Sequence, residues 1–421
     1  MIQRNAHPVP EAADSGPGSS RTVLTYPGVS VQIVLDHAAP VADALRSALH
    51  GWTPDQVASA GASAQVASVL GDKGTFAARS AYLGETIHGL GVAGAACAMI
   101  ADLAQDYFVT RPGSLALHCA AFRFNNRLIG MTGPAKAGKS TLAARMTQEP
   151  DMTVFCDDVL PMQPDGTAVG LGISPRLRLP LPEACSDGFR AHVARHLGPS
   201  DDRYAYLCAP NVAPHGTKAP LSVLLILDRR PDGGAALHDV TDHEALHFLL
   251  SQNMADLETA DAAIARLTDL LSQIICLRLV YSDLEDAVAL IRQAFGGSAA
   301  VHADVAVLPP VPPAAARSMP AAQMAPDLCW ARRPDVMMQA TGDAAFLWLP
   351  GRQTVWRMNA LALAVWTMLE IPGSAQDLAG VLADHFTDQD PDTLTADVNA
   401  LLQGLAKAAL IETADPMALS G

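Results

Sequence analysis

Gly133-Pro134-Ala135-Lys136-Ala137-Gly138-Lys139-Ser140-Thr141 fits the spacing G-x-x-x-x-G-K-[ST], and its flanks decide the fold it belongs to. Upstream, Leu128-Ile129-Gly130-Met131-Thr132 is an apolar run with the character of a strand. Downstream, residues 140–148 are rich in helix formers, among them Leu142, Ala143, Ala144, Arg145 and Met146. Strand, glycine loop and helix start in this order predict an α/β domain with a phosphate-binding loop. Gly133 and Gly138 allow backbone conformations closed to residues with a Cβ, so that successive N–H groups can face an anion. The helix adds its free N-terminal N–H groups, Lys139 a full charge for the outer phosphates and Ser140 a hydroxyl for Mg²⁺. Pro134, Ala135, Lys136, Ala137 and Thr141 complete the nucleotide-binding stretch. A glycine turn carrying a surface lysine is the plainer alternative, and it leaves the full pattern unexplained.

Composition limits the rest. A chain of 421 residues is long enough for two or three domains, and with half its residues hydrophobic and 17% charged most of it should fold. A net charge of −15 argues against broad nucleic-acid or anionic-membrane binding. The seven cysteines are scattered without a C-x-x-C pair, which favours a reducing cytoplasm over a disulfide framework or a zinc knuckle. Residues 1–21 read as a disordered tail without the apolar core of a signal peptide, and the apolar run 89–100 is too short to span a bilayer.

Around the loop, residues 115–132 form two β-like runs about Asn125-Asn126, a pair suited to a tight turn, with His118 on the first run. A lone strand histidine is more often a satisfied core or surface residue than a catalytic one. Met152-Thr153-Val154-Phe155-Cys156 reads as a buried strand ending in Asp157-Asp158. Two carboxylates at a strand end near a phosphate loop suit Mg²⁺ ligation and proton acceptance, although an Asp pair also simply forms turns. Arg176 and Arg178 alternate with leucines, open to reading as anion ligands or as a wet strand face. The cluster Asp201-Asp202-Arg203-Tyr204 sits in an irregular stretch suited to a loop over the site. The remaining signals predict a strand at 221–227, helices at 243–252, 260–274 and 284–295, and a closing strand at 277–280.

Residues 301–330 are rich in proline and alanine and read as a linker. Beyond it, three short strands at 335–339, 344–349 and 354–358, with turns at 341–343 and 350–352, precede three helical stretches, a small α+β winged-helix-like domain over 331–414. It lacks a clustered basic face, so peptide binding ranks above DNA binding.

Read together, Leu117-His118-Cys119-Ala120, the glycine loop and Cys156-Asp157-Asp158-Val159 resemble the kinase core of HPr kinase/phosphorylase and its smaller relatives, over about 112–295. The resemblance implies an α/β P-loop kinase core of the HPr kinase type spanning 112–300, with 22–111 packing on it. It also implies an ATP- and Mg²⁺-dependent serine kinase. On that resemblance Asp158 is the base, Asp157 its electrostatic and Mg²⁺-shell partner, His118 a site orienter, Lys139 a phosphate ligand, and Ser140 with Asp157 the metal set. Thr141 stands where the bacterial HPr enzymes carry glutamate, and their second signature, rich in Gly and Asn, has no counterpart here. Phosphorolysis and HPr itself therefore fall outside the expectation.

Residues 335–411 look like a PqqD-type domain, carried by the strand triplet, Arg357-Met358-Asn359-Ala360-Leu361-Ala362, Trp366 and the close of the last helix near Leu410-Ile411. Such domains hold leader peptides of ribosomally made, modified peptides, so a peptide or small-protein partner is expected, with no nucleic acid or membrane partner. Two other functions keep the same motifs. One is a nucleotide-gated peptide chaperone without phosphoryl transfer, and the other a DNA-binding regulator with a nucleotide sensor.

Overall fold

The computed structural model describes residues 21–61, 64–134, 136–252, 259–299, 301–311, 328–341, 344–352, 354–383 and 390–414. The expected tail, most of the expected linker, the turn at 342–343 and Ala135 lie outside the described residues. The chain divides into two compact units that do not follow chain order: Met1–Pro112 with Leu171–Glu183 and Asp187–Gly216, and Gly113–Gly170 with Ala184–Ser186 and Thr217–Gly421.

In the first unit a six-stranded sheet runs in the order Asp55–Val57, Arg21–Thr25, Gln32–Asp36, Val66–Asp72, Thr75–Arg79, Thr86–Leu90. The helix Val92–Val109 is long and apolar enough by composition to cross a membrane, and 56% of it is buried inside the fold. It carries two buried carboxylates that the sheet's loops satisfy. Asp102 accepts from the Ser80 hydroxyl at 2.6 Å and the Ala81 N–H at 2.7 Å, and Asp106 from the Ser30 hydroxyl at 2.8 Å. Arg176 and Arg178 lie on a short strand paired with Tyr204–Leu207, where the Arg176 guanidinium stacks 4.9 Å from the Tyr204 ring centre. Asp201 anchors the start of Val92–Val109, accepting from the Gly94 N–H at 2.9 Å, and turns its own loop by accepting from Tyr204 at 3.0 Å.

The second unit is built on a ten-stranded sheet, in which Met152–Cys156 at one edge is followed in order by Ala120–Phe124, Arg127–Thr132, Lys218–Arg229 and Ile275–Tyr281. Arg127–Thr132, Lys218–Arg229 and Ile275–Tyr281 are mutually parallel, and Ala120–Phe124 is antiparallel to both of its neighbours. Four strands therefore end at one edge, and the strand between two of them begins there. Asn125 and Asn126, with φ of 48° and 62°, turn the hairpin at the opposite edge. Helices Lys139–Met146 and Leu284–Phe295 cover the sheet through Leu142, Met146, Val288, Ile291 and Phe295, all buried against Ile129, Leu225 and Leu279. At about 1.5–3 kcal/mol for each large apolar side chain removed from water, this face is a major source of the unit's stability.

The C-terminal part carries the antiparallel strands Met337–Thr341, Ala344–Trp348 and Val355–Met358, followed by helices Ala360–Met368, Ala375–Ala383 and Pro391–Lys407. The first strand begins at Met337, two residues later than expected. Asp335 is taken up in a turn where Arg333 clasps its carboxylate at 2.7 and 3.0 Å, which leaves Met337 to pair with Trp348. Asn359 caps the first helix, its Oδ1 accepting from the Ala362 N–H at 2.8 Å, and Asp390 caps the last at 3.0 Å. A second small sheet, Gly373–Ser374 with Cys329–Arg332 and Ile411–Thr413, joins the two ends of this part. Trp366, Val365, Leu378, Val398, Leu402 and Leu405 fill its core.

Candidate functional site

The loop after Arg127–Thr132 combines left-handed backbone with close packing. Gly133, Lys136 and Gly138 have φ of 151°, 68° and 95°, and Gly138 forms the N-cap of Lys139–Met146. A Cβ on Gly133 would stand 2.8 Å from the Leu227 carbonyl oxygen, and one on Gly138 2.3 Å from the Tyr281 hydroxyl. Glycine is thus required at both ends by conformation and by contact. Pro134 accepts from the Ala137 N–H at 3.2 Å, and the Ala137 carbonyl accepts from the Tyr281 hydroxyl at 2.6 Å. Burial pushes the Tyr281 phenol up to about 12, so it remains a donor throughout the ordinary pH range. Tyr281 was not legible as a loop support, because only the parallel placement of its strand brings it under the loop.

No acidic residue stands in the first turn of Lys139–Met146, and no side chain caps its N-terminus. That end of the helix keeps the positive character that attracts anions. The Lys139 ammonium bends across the loop to donate to the Gly133 carbonyl at 2.8 Å. Its pKa is lowered by burial, against which the nearby Asp158 and then Cys119 act to raise it.

Asp157 and Asp158 follow Met152–Cys156 at the same edge. The Ser140 hydroxyl donates to the Asp157 backbone carbonyl at 3.4 Å, while the Asp157 side chain is buried. Asp158 is 63% exposed, with Oδ1 3.2 Å from His118 Nε2. His118, expected on a strand, lies in the break between Leu115–Leu117 and Ala120–Phe124. The cause is non-local: Leu117 pairs with Leu160 in one arm of the sheet and Ala120 with Met131 in another, so the chain must turn between them. The Cys119 N–H closes that turn on the Leu117 carbonyl at 2.9 Å, and the His118 N–H donates to the Gln252 carbonyl at 2.7 Å. His118, Lys139, Ser140, Asp157 and Asp158, which span forty-one residues of sequence, thereby come to one sheet edge. That is the edge outside the carboxyl ends of parallel strands, where open α/β sheets take ligands. The contacts of Arg176, Arg178 and Asp201 described above are made within the other unit.

An ion network fixes the helix behind the loop. Arg145 donates to Glu285 at 2.7 and 2.9 Å and to Glu149 at 2.7 Å, and Arg292 bridges Glu149 and Asp151 at 2.7 and 2.8 Å. The Arg145 hydrogen bonds hold the Glu285 carboxyl below its usual range, against the opposing effect of burial. A folded value below the unfolded one means that the contribution is complete above the unfolded glutamate value of about 4.3 and is lost as pH falls through the folded value. Urea midpoints of the wild type and Glu285→Gln should therefore differ most near neutrality and converge on acidification. A gap that widened in acid would contradict the sign.

Among the described residues, no group of three or more His, Cys, Asp or Glu side chains is arranged to hold a metal ion.

Comparison with known proteins bears on the C-terminal part. Residues 345–411 match the family described as coenzyme PQQ synthesis protein D (PqqD), so this part of the chain is a PqqD-type domain. The match opens in the middle strand of its three-stranded sheet and closes at Ile411. No curated protein matches the chain. Among solved structures, one titled "TbiB1 in Complex with the TbiA(beta) Leader Peptide" is similar with a TM-score of 0.19 and 21% identity, covering 20% of this chain and 99% of that one.

Proposed function

We propose that the chain is an ATP-dependent serine kinase with a P-loop core of the HPr kinase type, acting on a peptide or small protein that its PqqD-type domain holds. The observation that carries this reading is the convergence of the glycine loop, Lys139 and Ser140 with the His118–Asp158 pair at one sheet edge. A nucleotide site alone needs only the first group. An exposed carboxylate beside the lysine suits a reaction in which an alcohol must lose a proton.

The residues fit Mg²⁺–ATP. The loop and helix start offer N–H groups and Lys139 a charge to the phosphates. Ser140 and Asp157 supply the sparse oxygen set that Mg²⁺ accepts when phosphates and water complete its shell. When bound, Mg²⁺ neutralises charge on the phosphates. In the transfer, the seryl oxygen bonds to the γ-phosphorus, the bond from that phosphorus to the bridging oxygen breaks, and ADP leaves. The seryl proton passes to Asp158. His118 Nε2 holds that carboxylate toward the acceptor, and the half-buried Lys139 ammonium stabilises charge as it spreads over the transferred group.

The PqqD-type domain supplies the acceptor. Val355–Met358 forms one edge of its sheet, and Trp356 packs over Gly404 of the last helix, where an added Cβ would lie 2.8 Å from the ring. An extended peptide pairing with that edge gains backbone hydrogen bonds, and its alternate side chains reach the helix. Tethering then raises the acceptor's concentration at the kinase site.

Titration with a fluorescent ATP analogue tests the nucleotide half of this reading. Binding should require Mg²⁺ for full affinity and weaken roughly ten- to hundredfold in Lys139→Ala, the range for hydrogen bonds to charged groups. Equal binding by wild type and Lys139→Ala would remove the loop from the account.

A further inference from the structure

Two helix ends in the second unit are satisfied by distant parts of the chain. The last carbonyls and first N–H groups of a helix have no partner within it. At the close of Asp242–Gln252, the Gln252 carbonyl accepts from the His118 N–H at 2.7 Å. At the start of Ala260–Gln273, the Ala262 N–H is capped by the Thr259 hydroxyl at 3.2 Å, and the Ala260 N–H donates to the Arg352 carbonyl at 3.1 Å. Arg352 belongs to the PqqD-type domain. In the same first turn Asp261 accepts from Nε1 of the buried Trp348 at 2.8 Å, and Trp348 lies in the domain's middle strand. Farther along this helix, the Arg266 guanidinium donates to the Gly113 carbonyl, just upstream of His118.

The two helices form one packed body. Ala245 and Phe248 of the first and Leu271 of the second share an apolar cluster with Ile226 and Cys276 of the sheet. The His247 imidazole is pushed toward its neutral form by burial first and by the Arg357 guanidinium second, so the domain's third strand also lies near this body. The helix pair thus contacts both the segment that carries His118 and the PqqD-type domain.

We infer that this helix pair mechanically couples the PqqD-type domain to the candidate site, with Trp348 and Asp261 as positioning residues for His118. Its functional meaning rests on the kinase reading. A peptide seated on the domain then acts on the site by more than tethering. It biases the His118–Asp158 pair by as much as its affinity differs between coupled and uncoupled arrangements.

Amide hydrogen exchange of the full chain reads this link without any substrate. Trp348→Phe keeps an aromatic ring and removes the donor, Asp261→Ala removes the acceptor, and Asp261→Asn keeps an acceptor oxygen. Trp348→Phe and Asp261→Ala should each speed exchange over residues 115–120 by about tenfold, the scale of one hydrogen bond. The double variant should go no further than either single one, residues 127–132 and 142–146 should keep their protection, and Asp261→Asn should restore the wild-type pattern. Unchanged exchange over 115–120 in both single variants, or a rise spread evenly over the unit, overturns the coupling. In a phosphorylation assay the same two variants should lower kcat and leave KM for ATP unchanged. A wild-type protein that transfers no phosphate would count against the kinase reading alone, because the exchange result does not depend on it.

Discussion

Asp158→Asn should lower phosphoryl transfer by about 10²–10⁴-fold, the contribution typical of a positioned general base, while ATP affinity changes by less than about twofold. The separation of the two effects follows from the geometry. Asp158 is exposed, pairs with His118 Nε2 at 3.2 Å, and lies outside the glycine loop, whereas the phosphates are expected against that loop and the start of Lys139–Met146. Asparagine keeps the size and one acceptor oxygen, so the His118 contact can persist while the proton acceptor is gone. Stopped turnover with intact nucleotide binding is the outcome the kinase reading requires. If Asp158→Asn left the delivery of peptide to a partner enzyme intact and the wild type transferred no phosphate, the nucleotide-gated chaperone would be the better account.

The largest stability effect is expected at a residue remote from the chemistry. Arg278 lies on the strand Ile275–Tyr281 and is only 2% exposed. Its guanidinium donates to Glu244 on the helix Asp242–Gln252 and stands 3.6 Å from Asp228. Glu244→Ala strands part of a buried charge, a change that typically costs about 3–5 kcal/mol. For a unit of this size that corresponds to a fall in melting temperature of roughly 10 °C. Combining Glu244→Ala with Arg278→Met should recover much of the loss, since the stranded charge is removed along with its partner. A single variant that melts with the wild type would show that the pair contributes nothing. The effect also reaches the site, because Glu244 anchors the helix whose last residue holds the His118 N–H.

What the sequence discloses about this site depends on the distance over which each feature is determined. The glycine loop and the Asn125-Asn126 turn are legible because local backbone demands shape them: φ values of 95° at Gly138 and 48° and 62° at the asparagines favour those residue types. The strand Met152–Cys156 and its terminal carboxylates are legible for the same reason, a short apolar run with an abrupt polar end. His118 is misplaced onto a strand because its break is set by two different partners, Leu160 for Leu117 and Met131 for Ala120. Arg278 sits inside the apolar run Leu277-Arg278-Leu279, and only the fold reveals the carboxylates that meet it. Gln252 and Ala260 leave no side-chain signature at all, since they act through backbone groups at helix ends. The strand Met337–Thr341 starts late because the Arg333–Asp335 pair, two residues apart, competes for the chain end.

Phosphoryl transfer to a held peptide can be read from the products of the reaction itself. The full chain is incubated with γ-labelled ATP, Mg²⁺ and the peptides encoded beside its gene, and the products are analysed for phosphoserine. Label is expected on a serine of one peptide, absent in Asp158→Asn and much reduced when Trp356, over Gly404, is replaced by alanine. ATP bound normally with no label on any peptide would contradict it.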